Sequence, residues 1–256
     1  MHGTWLPTYV RKRFDPAERY GLRVTLFALA LVLVAVPFGL LTDQVVRNGP
    51  LLEVDKGVAE AIHGWVVRQP DWFVWVVKRI SDIGKPPVLT VFAGIGALYV
   101  LRHDRIRLAL FIVTTSIVGG LVDTAVKILV NRPRPEFEDK IAHALGKSFP
   151  SGHAMSSTVV YGALLLAFLP VVPRRRRRWV IGAYVLLVLS IAATRLALGV
   201  HFLSDVVGGI VLGVAWLAAS VAAFRVWRDE RGRRPAPVLA GVEPEAAADL
   251  KAPASS

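Results

Sequence analysis

Apolar residues along this chain are concentrated in long blocks, which are separated by stretches rich in arginine, proline and other charged residues. The blocks lie at residues 22–41, 86–101, 106–130, 153–172, 179–198 and 202–224. Most of them have the length of about 20 residues that a helix needs to cross the hydrocarbon core of a bilayer. The pattern therefore predicts an all-α, polytopic membrane protein with six transmembrane helices.

The segment 42–85 differs from these blocks because aromatic and charged residues alternate along it. Its aromatic residues include Trp65, Trp72, Phe73 and Trp75. Tryptophan is enriched at the membrane–water interface, and charges opposite an apolar face suit a helix that lies in that interface. We therefore expect interfacial amphipathic helices in this first outer loop. A seventh span remains the alternative, although it would have to carry Arg68, Asp71 and Lys78.

Composition agrees with a membrane protein, and the charge pattern predicts its orientation. Of the 256 residues, 54% are hydrophobic, and the mean hydropathy is +0.50. The net charge of +12 comes from basic clusters beside the apolar blocks, which indicates membrane topology and argues against a nucleic-acid partner. By the positive-inside rule these clusters mark the cytoplasm. The chain has no cysteine, which excludes disulfides and thiolate metal sites.

The same features divide the chain into three parts. Residues 1–21 are expected to form a cytoplasmic N-terminal segment, and residues 22–224 a six-span domain. Residues 225–256 are rich in alanine and proline toward their end and lack periodicity, so we expect a disordered cytoplasmic tail. The protein is thus expected to be a multi-pass protein of the cell membrane.

The first residues that could take part in a reaction are three cations at the end of the third block and at the start of the outer loop that follows it. Lys127 is followed by Arg132 and Arg134, and each arginine stands directly before a proline, which favours extended backbone. For Lys127 alone, a cation that snorkels to lipid headgroups is the simpler interpretation. An ion pair with Asp123, one helical turn earlier, is a further structural alternative.

The stretch Pro150-Ser151-Gly152-His153 opens the fourth block. Taken alone, Ser151 is best read as the N-cap of a helix. Gly152, however, allows close approach of the backbone, and the start of a helix offers unpaired N–H groups to an anion. His153 adds a side chain that exchanges a proton near neutral pH. The stretch is therefore a candidate anion site with an acid–base group.

A third group of polar residues lies between the fifth and sixth blocks. Arg195 ends the fifth block, Gly199 permits a reversal, and His201 precedes Asp205 by four residues. On a helix this spacing places His201 and Asp205 on one face, where the carboxylate can hold one ring nitrogen and direct the other outward. A buried structural pair is the alternative. Two histidines and one aspartate beside several cations make a poor site for a divalent metal.

Together the three groups resemble the signature motifs of the type 2 phosphatidic acid phosphatase superfamily. The matching motifs are Lys127-x6-Arg134-Pro135, Pro150-Ser151-Gly152-His153 and Arg195-x5-His201-x3-Asp205. The chain departs from the family at Thr194, where the family usually has serine. A hydroxyl is kept at this position.

The resemblance implies a role for each matching residue. His201 would attack phosphorus and form a phosphohistidine, Asp205 would orient it, and His153 would protonate the leaving oxygen. The phosphate oxygens would be bound by Lys127, Arg134, Ser151, Gly152 and Arg195. No metal or other cofactor is expected. Arg132 lies outside the motif frame and is expected to contact the site residues without binding the substrate. His63, His103 and His143 are expected to be structural or interfacial.

The resemblance implies an enzyme that hydrolyses a lipid phosphate or diphosphate on the outer face of the membrane. Undecaprenyl diphosphate is our first expectation for the substrate, and phosphatidylglycerophosphate and phosphatidic acid are the alternatives. A transporter that binds phosphate lipids without turnover would also use the cations, but it does not explain His201, Asp205 and His153. A vanadate-dependent haloperoxidase is the third possibility, against which the six spans argue.

Overall fold

The computed structural model describes residues 36–47, 49–229 and 240–251. Within these ranges the fold is all-helical and contains no β-strand. The long helices are α1 (Val36–Val46), α2 (Leu51–Val66), α3 (Asp71–Ile83), α4 (Pro86–Leu101), α5 (Ile106–Val130), α6 (Gly152–Phe168), α7 (Arg174–Ala197) and α8 (Leu203–Asp229). Short 3-10 turns occupy Leu169–Val171, Pro244–Ala247 and Asp249–Lys251.

Proline, asparagine and glycine set several of the helix boundaries. Proline occupies the first turn of α4, where its missing N–H costs no helical hydrogen bond. Asn131 ends α5 in the left-handed conformation, with φ of 54°, which asparagine tolerates better than most residues. Gly199 has φ of 68° and reverses the chain between α7 and α8. These boundaries leave residues 131–151 as an irregular loop.

Four helical segments of the described chain are long and apolar enough to cross a membrane: Ile106–Val130, Gly152–Val171, Arg174–Ala197 and Leu203–Phe224. Helices α3 and α4 are together long and apolar enough to form one further span, although the chain bends by 47° between them. The chain is therefore a multi-span membrane protein, and its described residues contain four or five candidate spans. Most of the predicted first span, 22–41, lies outside the described residues, as does the N-terminal segment 1–21.

Several of the predicted boundaries differ from the structure by a few residues, including the starts of the fifth and sixth spans. The predicted fifth span begins at residue 179, but α7 begins at Arg174, so the run of five arginines forms its first turns. The predicted sixth span begins at residue 202, and the spacing of His201 and Asp205 predicts that both lie on one face of a helix. Helix α8 instead begins at Leu203, so His201 lies in the turn before the helix.

Helix α6 is the centre of the bundle and packs against α4, α5, α7 and α8. Glycines on α8 allow its backbone to approach α6 closely. A Cβ added at Gly209 would lie 2.6 Å from the carbonyl oxygen of Ser151, and one at Gly213 would lie 2.8 Å from Cβ of Thr158. The starts of α6 and α8 are therefore held side by side, at the end of the bundle where α5 and α7 finish. We call this the site end.

Residues 240–251 pack at the opposite end of the bundle. Val242, Ala246 and Leu250 are buried in the same hydrophobic cluster as residues of α4, α5 and α6. The Tyr99 hydroxyl donates to the carbonyl of Leu250 at 2.8 Å, and Arg105 forms an ion pair with Asp249. The disorder expected for the whole tail is therefore wrong for these residues, because apolar residues at a spacing of four fill the opening between the helices.

Candidate active site

All eight residues singled out in the sequence lie at the site end or in the loop beside it. Lys127 comes from the last turn of α5, and Arg134 from the irregular loop. Ser151 precedes α6, and Gly152 and His153 form its first residues. Arg195 is in the last turn of α7, His201 is in the turn that follows, and Asp205 is in the first turn of α8.

His201 has a different partner at each ring nitrogen. Its Nδ1 lies 3.4 Å from Oδ2 of Asp205 and 3.4 Å from Oγ of Ser148, and its Nε2 lies 3.0 Å from Nη1 of Arg134. A guanidinium can only donate, so Nε2 must accept, and the ring proton belongs on Nδ1 facing the carboxylate. Although His201 lies before α8 and not on it, the predicted pairing with Asp205 is present. The arrangement leaves the lone pair of Nε2 directed at the cations.

Burial keeps His201 neutral at physiological pH. Its side chain is only 2% exposed. Burial lowers the pKa of the imidazole to about 4, the Asp205 carboxylate opposes this shift, and the cations Arg134 and Arg195 add to it. A neutral imidazole is the nucleophilic form, because protonation would occupy the lone pair of Nε2.

Asp205 is fully buried and accepts hydrogen bonds on both carboxylate oxygens. The hydroxyl of Ser148 and the backbone N–H of Phe202 donate to Oδ2, the latter at 2.8 Å. Nη1 of Arg132 donates to Oδ1 at 2.6 Å. These contacts hold the carboxylate with Oδ2 toward His201. Arg132 was expected to contact the site residues without binding the substrate, and in the structure it contacts Asp205.

Arg134 is fixed by the loop and by the turn before α8. Its guanidinium donates to the backbone carbonyls of Leu145, Gly146, Lys147 and Val200, at distances from 2.7 to 3.2 Å. Burial lowers the pKa of the guanidinium, and the charge of Asp205 opposes that shift. The arginine remains a cation and stands beside Nε2 of His201 in a defined position.

Lys127 and Gly152 are in close proximity, although they belong to different helices. The ammonium of Lys127 pairs with Oδ2 of Asp123 at 2.5 Å, which is the intrahelical pair foreseen as an alternative for this lysine. A Cβ added at Gly152 would lie 2.9 Å from Nζ of Lys127. A larger residue at this position would therefore require the Lys127 side chain to move, whereas glycine leaves it in place.

Three buried polar atoms of the site have no hydrogen-bond partner among the described residues. They are Oγ of Ser151, Nε2 of His153 and Nε of Arg195. Ser151 thus does not cap α6 with its side chain, contrary to the simplest interpretation of that serine. Arg195 also donates from Nη1 to the hydroxyl of Ser81 at 2.6 Å. Unpaired buried polar groups are costly, and those gathered in one site are available to bind an anionic ligand.

His153 lies in the first turn of α6, and the cationic side chains of Arg195 and Lys127 lie close enough to act on its imidazole. The other histidines of the described residues contact different groups: His63 stacks on Phe137 with ring centroids 3.9 Å apart, and Nδ1 of His103 lies 2.9 Å from the carbonyl of Tyr99. His143 lines a cavity of about 230 Å³ beside the loop.

Several polar residues of the site were not predicted from the sequence. They are Asp55, Ser81, Ser148 and Ser204, which contact Arg132, Arg195 or Asp205 through their side chains. Ser148 stands two residues before a motif residue, and that nearness was its only sequence signal. Asp55 and Ser81 belong to the segment assigned to interfacial helices, where nothing in the local pattern distinguishes them from other surface residues.

Comparison with known proteins agrees with this geometry. The chain is 29% identical over 197 residues to phosphatidylglycerophosphatase B of Bacillus subtilis (strain 168), covering 75% of this chain and 89% of the relative. It is 32% identical over 152 residues to lipid A 1-phosphatase of Rhizobium etli, covering 53% of this chain and 61% of that relative.

A solved structure shares the fold. The crystal structure of a transmembrane PAP2-type phosphatidylglycerolphosphate phosphatase from Bacillus subtilis matches with a TM-score of 0.68 and 23% identity, covering 80% of this chain and 98% of that chain. Residues 106–229, which include every motif residue, match the family model of the PAP2 superfamily. The resemblance predicted from the three motifs is confirmed: residues 106–229 match the PAP2 superfamily, and the relatives of this chain are membrane lipid phosphatases.

Proposed function

We propose that the protein is a membrane lipid phosphatase that transfers the phosphoryl group of its substrate to His201 and then to water. The observation that carries the proposal is the geometry at His201. The imidazole is buried and neutral, Nδ1 faces Asp205, and Nε2 faces Arg134. This is the arrangement expected of a nucleophile whose tautomer and direction are set by its neighbours.

The reaction assigns one role to each group of the site. The lone pair of Nε2 forms a bond to phosphorus, while the bond from phosphorus to the lipid oxygen breaks and His153 gives that oxygen a proton. Lys127, Arg134 and Arg195, with Ser151 and the backbone at Gly152, bind the phosphate oxygens. Water then attacks phosphorus, His153 takes its proton, and release of phosphate regenerates His201.

The membrane arrangement proposed here has six spans with the site on the outer face of the plasma membrane and both termini in the cytoplasm. The helix order supports it, because the basic clusters near residues 102–107 and 174–178 belong to the opposite end of the bundle from the site. Trp65, Trp72 and Trp75 are exposed on α2 and α3, which supports interfacial positions for these helices.

Phosphatidylglycerophosphate is the substrate we propose first. It is the lipid phosphate named in the phosphatidylglycerophosphatase B of Bacillus subtilis, which aligns with 75% of this chain. A site at headgroup depth would suit a lipid that presents a terminal phosphate while its acyl chains stay in the bilayer. The relatives' names give no support to undecaprenyl diphosphate, which stays a prediction to be tested beside it.

The function is tested by measuring phosphate release by the purified full chain in detergent with EDTA present. The substrates are phosphatidylglycerophosphate, phosphatidic acid, lipid A 1-phosphate and undecaprenyl diphosphate, and His201→Ala is the inactive control. We expect release that survives EDTA, is highest in kcat/KM on phosphatidylglycerophosphate, and is inhibited by vanadate, because vanadate mimics pentacoordinate phosphorus and the cations of the site are side chains.

The other outcomes each contradict a stated part of the proposal. Activity that is lost in EDTA and restored by a divalent cation would contradict a site built from side-chain cations alone. A preference for undecaprenyl diphosphate would overturn the substrate assignment, whereas the proposed lipid phosphatase activity would stand. Binding of lipid phosphates without release would indicate a transporter, and halide oxidation with added vanadate would indicate a haloperoxidase.

A further inference from the structure

Asp55 is a fully buried carboxylate on α2, outside the part of the chain that matches the family model. Its carboxylate accepts from the backbone N–H of Ser204 at 2.9 Å, from the Ser204 hydroxyl, and from Nη2 of Arg132 at 2.7 Å. A buried carboxylate is costly unless it is paired and hydrogen-bonded, and this one is satisfied entirely by residues beside the site.

Arg132 connects this carboxylate to the site. Its Nη2 donates to Asp55, whereas its Nη1 donates to Oδ1 of Asp205 at 2.6 Å and to the Ser204 hydroxyl at 2.7 Å. The face of the guanidinium lies over the Phe202 ring, with 4.3 Å between Cζ and the centroid. The guanidinium is therefore held at both terminal nitrogens and by the Phe202 ring, and Asp55 holds the nitrogen that does not contact Asp205.

The shared guanidinium also affects the charge that Asp205 presents to His201. A single cation lies between two buried carboxylates, and the negative charge of Asp55 offsets the positive charge of the guanidinium. Without the charge of Asp55, the positive charge of the guanidinium would be offset by Asp205 alone. Asp205 would then stabilise less well the positive charge that develops on the imidazole during attack.

Asp55 acts on the position of Asp205 as well. By accepting from the backbone N–H of Ser204, it holds the first turn of α8, and Asp205 is the next residue in that turn. The carboxylate of Asp205 in turn accepts from the N–H of Phe202, directly after His201. Displacement of Asp55 would therefore be transmitted to both members of the His201–Asp205 pair.

We propose that Asp55 is a positioning residue for phosphoryl transfer: through Arg132 and the start of α8, it holds Asp205 in the orientation that directs Nε2 of His201 at the substrate. This inference rests on the proposed phosphatase function. The alternative is that Asp55 only fastens α2 to α8, in which case its loss would lower stability without acting through Asp205.

The experiment compares Asp55→Asn with the wild-type enzyme on an activated aryl phosphate and on phosphatidylglycerophosphate. Asparagine keeps the shape and one acceptor but removes the charge. We expect kcat to fall by about 10- to 100-fold, the range found when outer partners of metal-bound histidines are lost, with KM changed by no more than about twofold. Glu60→Gln is the matched control, because Glu60 is an exposed carboxylate on the same helix, and it should keep wild-type activity.

A double-mutant cycle separates positioning from a structural role. If Asp55 acts through Asp205, Asp55→Asn should cost no more than about threefold when it is added to Asp205→Asn, because the group that transmits its effect is already altered. An equal fold-loss in both backgrounds, or a loss that follows a lower melting temperature, would overturn the proposal. The aryl phosphate keeps the slow variants measurable.

Two further observations keep the inference separate from folding and from the proposed function. If Asp55→Asn fails to fold, Ser204→Ala repeats the cycle in a milder form, since it removes a hydrogen bond from Asp55 and keeps its charge. Ser204→Ala should lower kcat less than Asp55→Asn does, and this loss should disappear when Ser204→Ala is added to Asp205→Asn. A loss of kcat that persists in the Asp205→Asn background contradicts the inference. A wild-type protein that releases no phosphate overturns the proposed function, whereas an active wild type with full activity in Asp55→Asn overturns only this inference.

Discussion

The two ring nitrogens of His201 face groups of opposite charge. Asp205 accepts from Nδ1, and Arg134 donates to Nε2, so one tautomer and one ring orientation are favoured. The same arginine is proposed to bind a phosphate oxygen. Substrate binding would then move the hydrogen bond of Arg134 from the imidazole to the phosphate. In this way the group that holds the nucleophile at rest would release it when the phosphoryl group arrives.

The roles of the two histidines can be separated by trapping the phosphoenzyme. Rapid quench with an aryl phosphate at pH 6, where the pKa of about 4 keeps His201 neutral, should give an acid-labile phosphohistidine in the wild type. His201→Ala should give none, because no acceptor remains. His153→Ala should still form it in part, since an aryl leaving group needs little protonation, but should lose about 10²- to 10⁴-fold on a lipid alcohol.

The reverse result would exchange the two roles. If His201→Ala still trapped phosphate and His153→Ala did not, His153 would be the nucleophile and the assignment would be wrong. Retention of the native elution volume and of tryptophan fluorescence in both variants is the control for folding.

The spacing of the motif residues predicted which side chains meet at the site, but it gave no indication of the residues that support them. Lys127, His153 and His201 stand in patterns that few other functions need. Asp55 is 77 residues from Arg132 along the chain, and Ser81 is 114 residues from Arg195. Such partners are chosen by tertiary packing, and a lone aspartate or serine in an amphipathic helix has no local feature that distinguishes it.

At the scale of helices, the site depends on the close approach of α6 and α8. The backbone N–H of Ser151 donates to the carbonyl of Asp205 at 2.9 Å, which joins the motif at the start of α6 to the motif at the start of α8. Glycines along α8 permit this approach, because any larger side chain there would meet the backbone or side chains of α6. The packing of two helices therefore sets the distance between His153, the proposed acid, and His201, the proposed nucleophile.

Gly213→Ala should separate the two helices and reduce activity. Its Cβ would lie 2.8 Å from Cβ of Thr158 and 3.0 Å from the carbonyl oxygen of Met155, so the helices must shift. We expect a destabilisation of about 1–3 kcal/mol, the usual cost of overpacking, and a lower kcat. Gly182→Ala on α7 is the matched control, because nothing lies within 4 Å of its added Cβ. Thermal unfolding in detergent measures both, and equal melting temperatures would contradict this account.

Apolar periodicity predicted the long helices better than it predicted their ends and bends. Ile106–Val130 and Pro86–Leu101 were delimited to the residue, because proline, charges and Asn131 mark their ends. The arginines at 174–178 were placed outside the helix, since charge clusters usually flank spans, although arginine is a good helix former. The bend of 47° between α3 and α4 depends on packing, and nothing in the local pattern gives its angle.

For the molecule as a whole, the two ends of the bundle differ in chemistry. The site end has the long irregular loop, the cations proposed to bind phosphate, and both His153 and His201. The opposite end has the basic clusters at residues 102–107 and 174–178, together with residues 240–251, which pack on the core. The positive-inside rule then predicts that the opposite end faces the cytoplasm and that substrate is hydrolysed outside.

This orientation can be tested cleanly because the chain has no cysteine of its own. Leu145→Cys places a thiol on the loop at the site end, where that side chain is 97% exposed, and Ala248→Cys places one on the exposed surface of the C-terminal segment. In intact cells an impermeant thiol reagent should label the first and leave the second unlabelled, because only the loop would face outward. Both should react once the membrane is dissolved in detergent, which controls for accessibility. Labelling of Ala248→Cys alone in intact cells would place the site in the cytoplasm. The positive-inside rule would then fail for this chain, and a substrate presented from the inner leaflet would be required.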